Sequence, residues 1–129
     1  MKHVFAGAPA LQRNHKVGDG ECVALIQHYT KAGWTGRWRA GQHVVSAGYL
    51  APGTAIATLE NGRWPTRAGR KHAAFYLRPD TDGFWVIDQY ERSFRIESRK
   101  IRRKTAAEKA AWNYTPSDDA DMFYVIETP

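Results

Sequence analysis

Apolar and polar positions alternate along this chain in two rhythms. Between residues 20 and 32, Cys22, Leu25, Ile26 and Tyr29 recur at the 3.6-residue period, which predicts an amphipathic helix stopped at Gly33. From residue 54 onward the runs are shorter and bounded by turn residues, which predicts strands. Residues 54–59 end at Glu60-Asn61-Gly62-Arg63, a strong turn signal. Residues 72–78 and 84–90 flank Pro79-Asp80-Thr81-Asp82-Gly83 and form the clearest hairpin. Residues 93–101 set Phe94, Ile96 and Ser98 against Arg95, Glu97 and Arg99, the pattern of an edge or half-solvated strand. Residues 105–112 predict a short helix, with Thr105 and Glu108 spaced as a capping box. Residues 122–128 are apolar enough for a central strand.

The remainder is less regular. Residues 1–16 read as an irregular arm with one short turn near Leu11, and residues 44–52 as a linker with a short strand at Val44-Val45. Residues 34–41 form a glycine-punctuated loop carrying Trp34 and Trp38 beside arginines. These rings are either a ligand-contact surface, through stacking or cation–π contact, or plugs over the end of the core. With no repeat and no break in composition, the expectation is one α+β domain over residues 1–129. A helix bearing the cysteine would pack on an antiparallel sheet of about five strands.

Composition narrows the chemistry. Apolar residues at 43% and charged residues at 25% belong to a folded chain rather than a disordered one. A single cysteine excludes an intramolecular disulfide and leaves too little sulfur for a cysteine-based zinc site, and the histidines lack close ligand spacing. No metal or cofactor is expected. The formal charge of +6 suggests an anionic partner: nucleic acid, a membrane surface or a cell-wall polymer. Much of that charge lies in residues 92–104, which are either an edge strand blunted by charge or an electrostatic groove. No apolar run approaches the roughly 18 residues of a spanning helix, so membrane insertion is not expected. The first ten residues hold no signal-peptide core, so the expectation is synthesis in the cytoplasm and any export by a signal-independent machine.

Candidate chemistry centres on Gly18-Asp19-Gly20-Glu21-Cys22, a tight turn that puts the cysteine in the first helical turn. Backbone N–H groups there lack intrahelical acceptors, and the helix dipole favours negative charge, so a thiolate is stabilised at that position. The competing reading is a small buried thiol. A nucleophilic cysteine needs a base and a group that orients the base. Among His3, His15, His28, His43 and His72, only His72 opens a strand. A hairpin turn centred on residues 80–82 sets it opposite Asp88 or Gln89. Asp88 is an acidic residue on an otherwise apolar strand face, where an unpaired charge is costly, and His72 is its nearest candidate partner. A structural histidine, a strand-ending carboxylate, and Gln89 as orienter after a one-residue slip all remain open.

Three segments carry a resemblance: Glu21-Cys22-Val23-Ala24-Leu25, His72-Ala73-Ala74-Phe75-Tyr76 and Val86-Ile87-Asp88-Gln89-Tyr90. Together they resemble the papain-like cysteine amidases and peptidases of bacterial cell walls. The nearest members are the cysteine, histidine-dependent amidohydrolase/peptidase (CHAP) group and its small single-domain relatives, some of them antibacterial effectors. The resemblance implies a papain-like fold, Cys22 as nucleophile, His72 as base and Asp88 as orienter. It also implies hydrolysis of a peptidoglycan amide bond, without a cofactor. Tyr90 stands where the family often has Asn, and Arg70 and Lys71 make the rim before His72 unusually basic. Asp19, Gln89, Tyr90, Trp34, Trp38 and Arg70 are candidates for support or substrate contact. Expected partners are peptidoglycan peptides and a cognate immunity protein, with the chain itself monomeric and no nucleic acid expected. The alternative is a non-catalytic basic protein that binds a polyanion on the same fold.

Overall fold

Six strands run antiparallel in one sheet of this computed structural model, which describes residues 1–129. They are β1 (Arg39–His43), β2 (Ala55–Thr58), β3 (Ala73–Asp80), β4 (Gly83–Asp88), β5 (Glu97–Arg102) and β6 (Phe123–Glu127). The order across the sheet is β1-β6-β2-β3-β4-β5, so β1 and β5 are the edges and β6 is interior, as its apolar pattern predicts. Alternation along the strands builds two apolar layers. Ala55, Ala57, Ala73, Phe75, Ile87 and Ile126 face the helix α1 (Cys22–Tyr29) and meet its Leu25 and Ile26. Ile56, Ala74, Tyr76, Phe84, Val86, Phe123 and Val125 fill the other face, beneath Val44 and Leu50. Because both faces are covered, β2 is buried along its whole length.

The differences from the sequence reading have local causes. The helix is shorter than residues 20–32. Gly18 and Gly20 take positive φ before it, and Thr30 closes it by donating its N–H and its hydroxyl to the Ile26 carbonyl. The edge strand is Arg39–His43, not Val44-Val45, and supplies the sixth strand. Val44 instead turns into the second apolar layer. The N-terminal arm is irregular but anchored. Phe5 donates its N–H to Gly53 O, its ring stacks on Tyr29 at 4.7 Å, and Ala8 and Leu11 enter the core. At Asp80 and Gly83 the hairpin closes over Thr81-Asp82, and a bulge at Leu77 shifts its register. The short helix α2 (Ala106–Ala110) carries the expected capping box, with Thr105 and Glu108 bonded reciprocally. No helix is long and apolar enough to cross a membrane.

Candidate active site

The turn before α1 is shaped by glycine and held by side chains. Gly18 has φ +58, and a Cβ there would lie 2.8 Å from the Ala24 Cβ, so the helix packs on the bare backbone. Asp19 Oδ1 accepts the Glu21 N–H at 2.9 Å, which tightens the turn just ahead of Cys22. Cys22 is then half-buried at the start of the helix, its side chain against the apolar layer beneath α1.

Gln89 fixes this turn to the sheet. Its Oε1 accepts the Val17 N–H at 3.0 Å, and its Nε2 donates to Val17 O at 2.9 Å and Glu21 O at 2.8 Å. Both amide protons are thereby used, and Gln89 is fully buried. It therefore cannot orient His72; it clamps the segment that carries the thiol. Lys16 adds a second tie by donating to Tyr90 O at 2.8 Å.

His72 sits one residue before β3 and is also held from its neighbours. Its N–H donates to Thr58 Oγ1 at 2.9 Å, and its carbonyl accepts the Thr58 N–H at 2.9 Å. The imidazole Nε2 and Asp88 Oδ2 lie 2.7 Å apart, with His72 6% and Asp88 1% exposed. The two are not directly opposed. Phe75 faces Ile87 and Tyr76 faces Val86, and this register extended sets Ala74 opposite Asp88. His72 and Asp88 are thus diagonal neighbours on one face, a spacing long side chains bridge.

Two protonation effects follow. Burial opposes a charged imidazole, but the hydrogen bond to Asp88, the neighbouring Cys22 sulfur and the charges of both push the His72 pKa up to about 9. Burial likewise works against the Asp88 carboxylate. His72 and Arg99 outweigh it and hold Asp88 below the ordinary carboxylate value.

The other sequence candidates are scattered. Tyr90 is exposed, with its ring 6.5 Å from that of His72. Arg70 pairs with Glu60, and its carbonyl accepts the Thr58 hydroxyl, so it braces the approach to His72. The two tryptophans part company. Trp38 is fully buried against Trp64, whereas Trp34 is 72% exposed beside Gly36. Sequence reasoning passed over Thr58, whose only signal is a hydroxyl ending the buried run Ala55-Ile56-Ala57. It also read Arg99 merely as part of the basic stretch, although its Nε donates to Asp88 Oδ2 at 2.7 Å. A cavity of about 390 Å³ lies at the other end of the sheet, by Tyr76, Pro79 and Phe84, and none of Cys22, His72 and Asp88 lines it.

A thiol at a helix start, an imidazole beside it and a buried carboxylate behind that imidazole make a cysteine hydrolase's set of groups. Comparison with known proteins places the chain in a family. The family model described as Domesticated amidase effector 2 matches residues 6–126. The chain belongs to the domesticated amidase effector 2 family. A type VI secretion amidase effector 2 protein of Salmonella typhi is 38% identical over 98% of this chain and 100% of its own. A domesticated amidase effector 2 of the tick Ixodes scapularis is 38% identical over 83% of this chain and 70% of its own. The solved structure of a type 6 secretion amidase effector 2 superposes with a TM-score of 0.87 at 37% identity, covering 98% of this chain and 94% of that one. The expected kinship with papain-like amidases therefore holds at the level of the superfamily, and the family matched is amidase effector 2 rather than the CHAP group.

Proposed function

We propose that this amidase effector 2 family member is a cysteine amidase that hydrolyses an amide bond of bacterial peptidoglycan, with Cys22, His72 and Asp88 as its catalytic set. The observation that carries the reading is the buried 2.7 Å pair of His72 and Asp88 set beside the thiol of a chain whose relatives are named amidases. Cys22 thiolate attacks the scissile carbonyl carbon and forms a tetrahedral oxyanion, which the Cys22 backbone N–H at the start of α1 receives. His72 protonates the leaving amine as the C–N bond breaks, leaving a thioester. Water then gives a proton to His72 and its hydroxyl to the acyl carbon, and the thiolate departs. Because Nε2 faces Asp88, Nδ1 is the nitrogen that exchanges protons with the thiol and the leaving group.

Family membership also supports delivery to a target cell by a signal-independent secretion system, with an immunity protein protecting the producer. The alternative of a non-catalytic polyanion binder finds little to stand on, because five of the seven cations of the basic stretch are in ion pairs, Arg92 and Arg95 being the exceptions and Arg99 being held by Asp88. Lys100 pairs with Asp80 and Asp82, Arg102 with Glu108, Arg103 with Asp121 and Lys104 with Asp118. Turnover of purified muropeptides decides the matter. Cys22→Ala should abolish release of the amine while keeping the wild-type circular dichroism, and His72→Ala should lower kcat by roughly 10²-fold or more. A folded Cys22→Ala variant that still cleaves would overturn the assignment.

A further inference from the structure

Asp88 is held by two donors on a single oxygen. Oδ2 takes His72 Nε2 at 2.7 Å and Arg99 Nε at 2.7 Å, while Oδ1 is shut from solvent without a hydrogen-bond partner. Arg99 NH2 also comes within 3.2 Å of His72 Nε2. With Nε2–H donated to Asp88, that approach joins two donors, so it repels the imidazole proton rather than binding the ring. The guanidinium does not lie there by default. Arg99 rises from edge strand β5 over the Tyr90 ring, 5.5 Å from its centroid, and Asp118 accepts from its outer nitrogen at 3.4 Å. It is therefore clamped on three sides, with its inner edge against the His72–Asp88 pair.

We propose that Arg99 is a positioning residue of the catalytic set, which fixes the Asp88 carboxylate through Oδ2 and limits how firmly His72 holds its proton. An Asp88 alone with His72 would give the imidazolium its full charge. Shared with a permanent cation, it gives less, so His72 releases its proton to the leaving amine more readily. The charged and titratable groups that face His72 are Cys22 from α1, Asp88 from β4, Tyr90 just beyond β4 and Arg99 from β5. Asp118 acts on it through Arg99, and Lys71 adjoins it along the chain. Of these, Arg99 is the group that touches both members of the His72–Asp88 pair.

The inference rests on the catalytic reading above, but its test does not need turnover. The Cε1–H resonance of His72 can be titrated by NMR in the wild-type chain, Arg99→Gln and Arg99→Lys, alongside the pH profile of kcat/KM on muropeptides. In Arg99→Gln the His72 midpoint should rise by about one pH unit, the size of effect a removed neighbouring charge produces. The alkaline limb of the rate profile should move with it, and kcat/KM should fall about tenfold. Arg99→Lys should bring the midpoint back towards wild type. A folded Arg99→Gln with an unmoved midpoint would reduce Arg99 to a mere counter-ion and sink the proposal. Where Arg99→Gln does not fold, Arg99→Met takes its place as the neutral variant: an upward shift of the midpoint supports the proposal, and an unmoved midpoint refutes it. Failure of Cys22→Ala to abolish turnover would be a separate result, since the titration reads the His72–Asp88–Arg99 geometry itself.

Discussion

Thr58 shows how much a single hydroxyl can carry in this site. Itself fully buried, it accepts the His72 N–H and donates its own O–H to the Arg70 carbonyl. Thr58→Val keeps the volume and removes the acceptor, stranding a buried amide. The expected loss is about 1–3 kcal/mol in chemical denaturation, with a fall in kcat larger than any change in KM. His72 itself ties stability to pH. Its folded pKa is raised from 6.5 to about 9, so its contribution is complete below about pH 6.5 and is lost as pH rises through about 9. Asp88 acts in the opposite sense, contributing above its unfolded value and failing as acid protonates it. Denaturation midpoints of the wild-type chain should therefore decline from pH 7 to pH 10 more than those of His72→Gln. Parallel declines would mean that the pair adds no pH-dependent stability.

At the scale of elements, the turn before α1 is the most exacting segment. Gly18→Ala would have to hold a side chain at φ +58 and push on Ala24, costing about 1–3 kcal/mol and displacing the start of the helix. Gly48→Ala, at a position with nothing within 4 Å, should leave both stability and turnover unchanged. Thermal melts and initial rates of the two variants make the comparison. The helix, the hairpin and the capping box were legible in the sequence because each follows from local periodicity or turn chemistry. The pairing of His72 with Asp88 was legible despite the misplaced register, since the true offset keeps both residues on one face; a slip of one residue would have parted them. Arg99 and Thr58 were not legible, because their roles come from neighbouring strands β5 and β2 that sequence order does not announce. Trp34 and Trp38 look alike in the sequence, and only the packing of Trp64 separates a core ring from an exposed one.

Over the whole molecule, ion pairing leaves the net charge of +6 unevenly available. The cations of β5 and its extension are matched by carboxylates, whereas Arg67, Lys71 and Arg92 are exposed and in no ion pair. Co-sedimentation with anionic sacculi should weaken between low salt and about 1 M salt, where screening shortens to roughly 3 Å. Substituting all three of these residues by Gln should weaken it more than neutralising Lys100, Arg102 and Lys104, and equal effects would place attraction on β5 instead. The adjacency of Asp88 and Gln89 has a mechanical meaning of its own. Consecutive residues at one strand end reach opposite faces of the sheet, one holding the base and the other the nucleophile's segment, so a single peptide link of about 3.8 Å serves as the ruler between them. A displacement of this strand end therefore carries both supports at once, the carboxylate behind the base and the clamp on the thiol's segment.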